Sequence, residues 1–140
     1  MTDLTESKLP ADILARADFR FNEYAWRVTD LPDVIEAARA MNLLNLGGQL
    51  QLRTQTAIGE VYWVATDPNA NVPEDLPWEV RVRMAAEFSL RDLSEIQAEF
   101  DFAQEITDAF PDPVAEFKAS GGDVNAAIWF AWYVAEEDGA

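Results

Sequence analysis

Two stretches in the middle of the chain carry the period of a β-strand. Gln49-Leu50-Gln51-Leu52-Arg53 alternates polar and apolar residues, and Glu60-Val61-Tyr62-Trp63-Val64-Ala65 continues the pattern beyond a turn region that contains Gly59. A period of two places Leu50 and Leu52 on one face, so the segment is expected to form a β-hairpin with one face buried. A hairpin of this kind needs something to cover its apolar side.

Before the hairpin, residues 1–18 read as a polar arm with one short helix, in which Pro10 suits the first turn and Ile13, Leu14 and Ala17 fall at helical spacing. Residues 19–28 alternate weakly and predict a first strand ending at Thr29-Asp30. Asp30 then caps a helix whose first turn holds Pro32 and Asp33 and whose apolar stripe is Val34, Ile35, Ala38, Met41 and Leu44. Gly47-Gly48 fits a helix-to-strand turn that requires positive φ. It has no lysine or following helix that would make it a phosphate cradle.

After the hairpin, residues 67–73 form a loop rich in turn formers. Asp75 and Pro77 open a helix along Trp78, Val82, Ala86, Leu93, Ile96 and Phe100, with a break near Ser89. Residues 78–84 also alternate as a strand would; the capping signals and the run that follows favour the helix. Further helices are expected over 102–110 and 113–119, and a last, very apolar one over 124–135. On that helix Trp129, Trp132 and Tyr133 share one face, with Phe130 and Val134 beside it. The face reads as core, or as an interaction surface or homodimer seam. The expected architecture is α+β in a single domain, 1–140: a small, mainly antiparallel sheet of about three strands, ordered β-α-β-β and then helices, packed against several helices. The sheet-bearing part is 19–66 and the helical part 74–137.

Composition limits the chemistry. The chain has no histidine and no cysteine, and its only lysines are Lys8 and Lys118. The commonest general base, the commonest metal ligand, thiolate metal sites, disulfides and a phosphate-loop lysine are therefore all missing. Carboxylate-bridged metal centres normally add histidines, and Asp108, Asp112 and Glu116 do not have the spacing of a calcium loop. No enzyme activity, metal or cofactor is expected. Residues 1–10 lack the basic and apolar regions of a signal peptide, and no apolar run approaches a membrane span, so cytoplasmic residence is the expectation.

Charge is the strongest functional signal. Twenty-six acids against ten bases give a formal charge of −16. Residues 71–140 hold sixteen of the acids and four of the bases, and from Asp92 onward Lys118 is the only base. Such a field repels nucleic acid and anionic membrane and attracts basic protein surfaces. Solubility needs less charge than this. Arg81, Arg83 and Arg91, interleaved with Glu79, Glu87 and Asp92, read as a salt-bridged helix face. The candidate contact set is Asp92, Glu95, Glu99, Asp101, Glu105 and Asp108, with Trp78 as an aromatic anchor.

In size and acidity, with Leu46-Gly47-Gly48-Gln49-Leu50-Gln51 followed by Val61-Tyr62-Trp63, the chain resembles the immunity proteins of bacterial polymorphic and contact-dependent toxin systems. The resemblance implies a partner that is a cognate toxin, often a nuclease, neutralised by covering its active site or an adjacent surface. It carries no individual residue over. A DNA-mimic or anti-defence inhibitor is the alternative, and a small protein whose acidity is incidental is the third reading.

Overall fold

The computed structural model describes residues 4–137. Residues 1–3 of the expected polar arm, and 138–140, lie outside the described residues. The class is α+β, as expected, but the sheet has five antiparallel strands rather than about three. They are β1 (Asp18–Arg20), β2 (Glu23–Trp26), β3 (Leu44–Arg53), β4 (Ile58–Thr66) and β5 (Ile128–Ala135), in the spatial order β1-β2-β5-β3-β4. The five α-helices of the described residues are α1 (Ala11–Leu14), α2 (Leu31–Ala40), α3 (Trp78–Glu99), α4 (Phe102–Ala109) and α5 (Pro111–Ala119).

The two extra strands have separate causes. The single strand expected over 19–28 is a hairpin, β1 and β2, closed at Arg20↔Glu23. Its turn residues Phe21 and Asn22 both have positive φ, 52° and 62°. This is the geometry of a type I′ turn, in which Asn-Gly is the usual pair.

The helix expected over 124–135 is instead a short 3₁₀ turn, Val124–Ala127, followed by β5. Asp123 does act as a cap, accepting from the Asn125 N–H at 2.8 Å, but only for that turn. β5 lies between β2 and β3, paired on both edges, and its face away from the helices carries Trp129, Ala131 and Tyr133 rather than charged residues. Its apolar run therefore mimics a core helix. The expected common face of Trp129, Trp132 and Tyr133 does not exist. Phe130, Trp132 and Val134 enter the core, while Trp129 and Tyr133 alternate to the other side.

The β3–β4 hairpin forms as expected, although β3 begins at Leu44, earlier than the pattern suggests. The register between β3 and β5 shifts between Asn45 and Gly47, and Gly47 has φ 98°. A Cβ there would sit 2.2 Å from the Thr66 carbonyl oxygen. The glycine pair therefore marks an irregularity within a strand, not a helix-to-strand turn. The actual turn after α2 uses Asn42 (φ 59°), with the Leu43 N–H returning to the Ala38 carbonyl at 2.9 Å.

Helix α3 is continuous through Ser89, whose hydroxyl donates to the Ala85 carbonyl, and residues 78–84 are helical. Leu31, Val34, Ile35 and Ala38 of α2, Leu93 and Ile96 of α3, Ile106 of α4 and Val114 of α5 cover one face of the sheet. They pack on Trp26, Leu50, Leu52, Val61, Val64, Phe130 and Trp132, and all these side chains are buried. No helix of the described residues is long and apolar enough to cross a membrane.

Candidate functional site

An irregularity in the outermost long strand creates the most exposed aromatic pair outside the turns. Leu50 pairs with Val61, yet its neighbour Gln49 pairs with Ala65. One step along β3 thus spans four along β4, and Tyr62, Trp63 and Val64 bulge from the ladder. Bulges of this kind bend an edge strand and re-aim its side chains. Val61 and Val64 keep their places in the core, so Tyr62 and Trp63 are forced out and are 73% and 55% exposed.

The five tryptophans divide by what their indole N–H groups find. Those of Trp26, Trp78 and Trp132 donate inward, to the Ile13 carbonyl, the Asn42 carbonyl and Asn45 Oδ1, at 2.8, 2.9 and 2.8 Å. Trp129 lies beneath the Arg27 guanidinium, 3.8 Å from its centroid. Trp63 donates across the surface to Glu105 Oε2 of α4, at 2.8 Å.

The acids expected to form the contact set fall into two groups. Glu95 and Glu99 are exposed on the last turns of α3, four residues apart on one face, and that last turn holds no base. Like charges at this spacing repel, and acids at a helix C-terminus oppose its dipole. Their presence costs fold stability.

The remaining acids make local bonds. Asp101 caps α4 by accepting from the Gln104 N–H at 3.1 Å. Asp108 accepts from the Gln104 side chain at 2.8 Å. Asp92 pairs with Arg91 at 3.3 Å. Glu105 is brought to Trp63.

Trp78 stands at the opposite end of α3, roughly 30 Å of helix from Glu99 at 1.5 Å per residue. It is buried against Leu44, Val82 and Ala85. It is a core residue, and the indole that meets the acids is that of Trp63. Adjacency in the sequence says that one of Tyr62 and Trp63 must leave the core, but not both; the second is exposed by the register shift with β3.

The sheet face away from the helices carries a polar network. Arg53, its side chain fully buried, bonds Asp18 at 3.0 Å, Glu23 at 3.2 Å and Gln51 Oε1 at 2.8 Å. Gln51 Nε2 donates to Glu23 at 2.7 Å and reaches Glu60 at 3.5 Å. Gln49 Nε2 donates to Glu60 at 3.3 Å and to the Tyr133 hydroxyl at 3.1 Å, and that hydroxyl donates to Glu23.

Titration within this network follows its charges. Burial pushes the Asp18 carboxyl up, but the bonds from Arg53 and Arg20 outweigh it and hold the group below its ordinary value. Burial and then the Glu23 carboxylate push the Tyr133 phenol well up. Glu60 pushes the Tyr62 phenol up, by accepting its hydrogen bond and by its charge. Among the described residues no lysine or arginine pairs with Glu60.

An open cavity of roughly 560 Å³ adjoins this network. Glu23, Gln51 and Glu60 supply its polar wall, and Phe21, Tyr62 and Phe110 its aromatic one. The β4 bulge thus stands between two acidic surfaces. Tyr62 borders the cavity and Trp63 borders α4. Among the described residues no group of three or more acids is placed to hold a metal ion.

Comparison with protein-family models, with curated proteins and with solved structures gives no match to this chain.

Proposed function

We propose that the chain is an acidic protein-binding inhibitor, an immunity protein in kind, that neutralises a basic toxin by binding it through the β4 bulge and the acids beside it. The observation that carries this reading is the exposed Trp63 indole, hydrogen-bonded to Glu105 at the border of an acidic helical surface. Exposed tryptophan and tyrosine flanked by charge are the usual composition of a binding hot spot and its rim.

Energetics supports the same reading. Glu95 and Glu99 work against the stability of α3, so folding does not account for them, whereas attraction of a basic partner does. A DNA mimic would need its carboxylates free and set out in rows like phosphates. Here Asp92, Asp101 and Asp108 are engaged by neighbouring groups.

The test is a pull-down from the native host with wild type and with a Trp63→Ala, Tyr62→Ala double variant, followed by binding measurements on the purified partner. A basic protein retained by wild type, released by the double variant and inhibited stoichiometrically supports the proposal. A partner that is acidic, or that binds both forms equally, overturns it.

A further inference from the structure

The cavity beside the bulge has features that point to one chemical group. Its polar wall is built around carboxylates and glutamine amides, and one end of that wall already holds a guanidinium. Arg53 lies between Asp18, Glu23 and Gln51, using Nε and both terminal nitrogens. Glu60 stands at the other end of the same network, touched by the amides of Gln49 and Gln51 but matched by no cation among the described residues.

The rest of the lining is largely aromatic, and one of its rings is carried on a strained backbone. Phe21 is 83% exposed at the tip of the β1–β2 hairpin, in the left-handed region, where a bulky side chain is disfavoured and Asn or Gly is usual. A strained, exposed aromatic that lines a cavity is more readily explained by recognition than by folding. Tyr62, forced out by the bulge, is a further aromatic of the same cavity. Carboxylates and amides beside aromatic rings in one cavity match a guanidinium, which is planar, charged and able to stack.

We propose that this cavity receives one arginine side chain of the basic partner, its guanidinium against Glu60 and Gln51 and its faces against Phe21 and Tyr62. The inference rests on the reading of the chain as a binder of a basic protein, and it names the residue type that the partner must present. An ammonium group lacks the planar fork and the stacking faces, so lysine is the poorer occupant.

The test needs no partner. The ¹⁵N-labelled chain is titrated with N-acetyl-arginine amide, with the citrulline analogue of the same shape but no charge, and with N-acetyl-lysine amide. Saturable shifts of the Gln51, Gly59, Glu60 and Tyr62 amides are expected with the arginine probe. The lysine probe should bind more weakly and the citrulline probe should not bind.

Glu60→Gln, which keeps an acceptor but removes the charge, should weaken the arginine probe about tenfold. Phe21→Asn, which suits the turn and keeps the fold, should weaken it as well. Glu36→Gln, on α2 and paired with Arg39, should leave it unchanged. Absence of saturation, equal binding of citrulline or lysine, or affinity that survives both Glu60→Gln and Phe21→Asn overturns the proposal. Failure here leaves the pull-down result standing, and a failed pull-down does not alter the titration, so the two readings fail separately.

Discussion

The Trp63 indole N–H donates to Glu105 Oε2 at 2.8 Å, joining the bulged edge of the sheet to α4. Both groups are at the surface, so this bond adds little to the fold. Trp63→Ala is therefore expected to change stability by no more than about 0.5 kcal/mol, the usual range for surface positions. Loss of a central aromatic should nevertheless cost about 2 kcal/mol or more in binding, seen as faster dissociation. Urea unfolding and dissociation kinetics of the same variant check both halves; a large stability loss would make Trp63 a structural residue.

Glu99→Lys should separate stability from binding. The substitution puts a cation at the C-terminus of α3 and removes the repulsion with Glu95, so the free protein should gain about 0.3–1 kcal/mol. Association with a basic partner should slow. A variant that is less stable than wild type, or that associates faster, contradicts the role given to these acids.

Arg53 is the one buried cation among the described residues, and its bonds run to β1, β2 and β3. Arg53→Ala leaves Glu23 without a cation and Asp18 with Arg20 alone, and should destabilise by about 3 kcal/mol. Arg53→Lys should recover only part of this, because one ammonium cannot reproduce donors aimed at Asp18, Glu23 and Gln51 together. Chemical denaturation of the pair gives the comparison. Full rescue by lysine would show that charge alone matters.

Glu6 contributes a pH dependence of known sign. Its carboxylate accepts from the Val134 N–H at 2.9 Å, beyond the two β5 positions, Phe130 and Ala131, that pair with β2. Burial outweighs that bond and raises the group above its ordinary value of 4.5. The folded state therefore holds this proton more tightly than the unfolded one. Its contribution is fully present below the ordinary value and is lost as pH rises through the raised one. The melting temperature of wild type minus that of Glu6→Gln should fall as pH rises from about 4 towards neutrality. A difference that does not vary with pH removes the burial effect. Glu6→Ala should cost about 1–3 kcal/mol at low pH, through the orphaned N–H, and less as pH rises.

Much of the fold was legible because local pattern and tertiary role agreed. Leu50 and Leu52 alternate and point inward together, and Pro77 with the apolar residues after it marks α3. The sequence misled at β5, where Ile128-Trp129-Phe130-Ala131-Trp132-Tyr133-Val134 lacks polar alternation because its face away from the helices carries the half-buried Trp129 and Tyr133 and the buried Ala131. It misled again at Phe21-Asn22, because a phenylalanine is not what a type I′ turn prefers. The site was legible as charge but not as place. Glu95, Glu99 and Glu105 are surface acids, but of the three it is Glu105 that meets an exposed aromatic, the Trp63 of the bulge. A bulge depends on register with β3, which no local pattern reports. Glu23, Gln51, Arg53 and Glu60 were missed as a group because they come from two hairpins far apart in the chain.

The most direct test of the acidic contact surface is the association rate with the purified partner across a salt series, for wild type and for Glu95→Lys, Glu99→Lys and Glu105→Lys. Steering by exposed carboxylates should raise wild-type association at low salt from about 10⁵–10⁶ towards 10⁸ M⁻¹s⁻¹ or more. The advantage should fade as the screening length shrinks from about 10 Å at 0.1 M to about 3 Å at 1 M salt. Each reversal should flatten the salt dependence and leave dissociation nearly unchanged, apart from Glu105→Lys, which also frees Trp63. Association that is independent of salt and indifferent to all three reversals would contradict an acidic surface built to capture a basic protein.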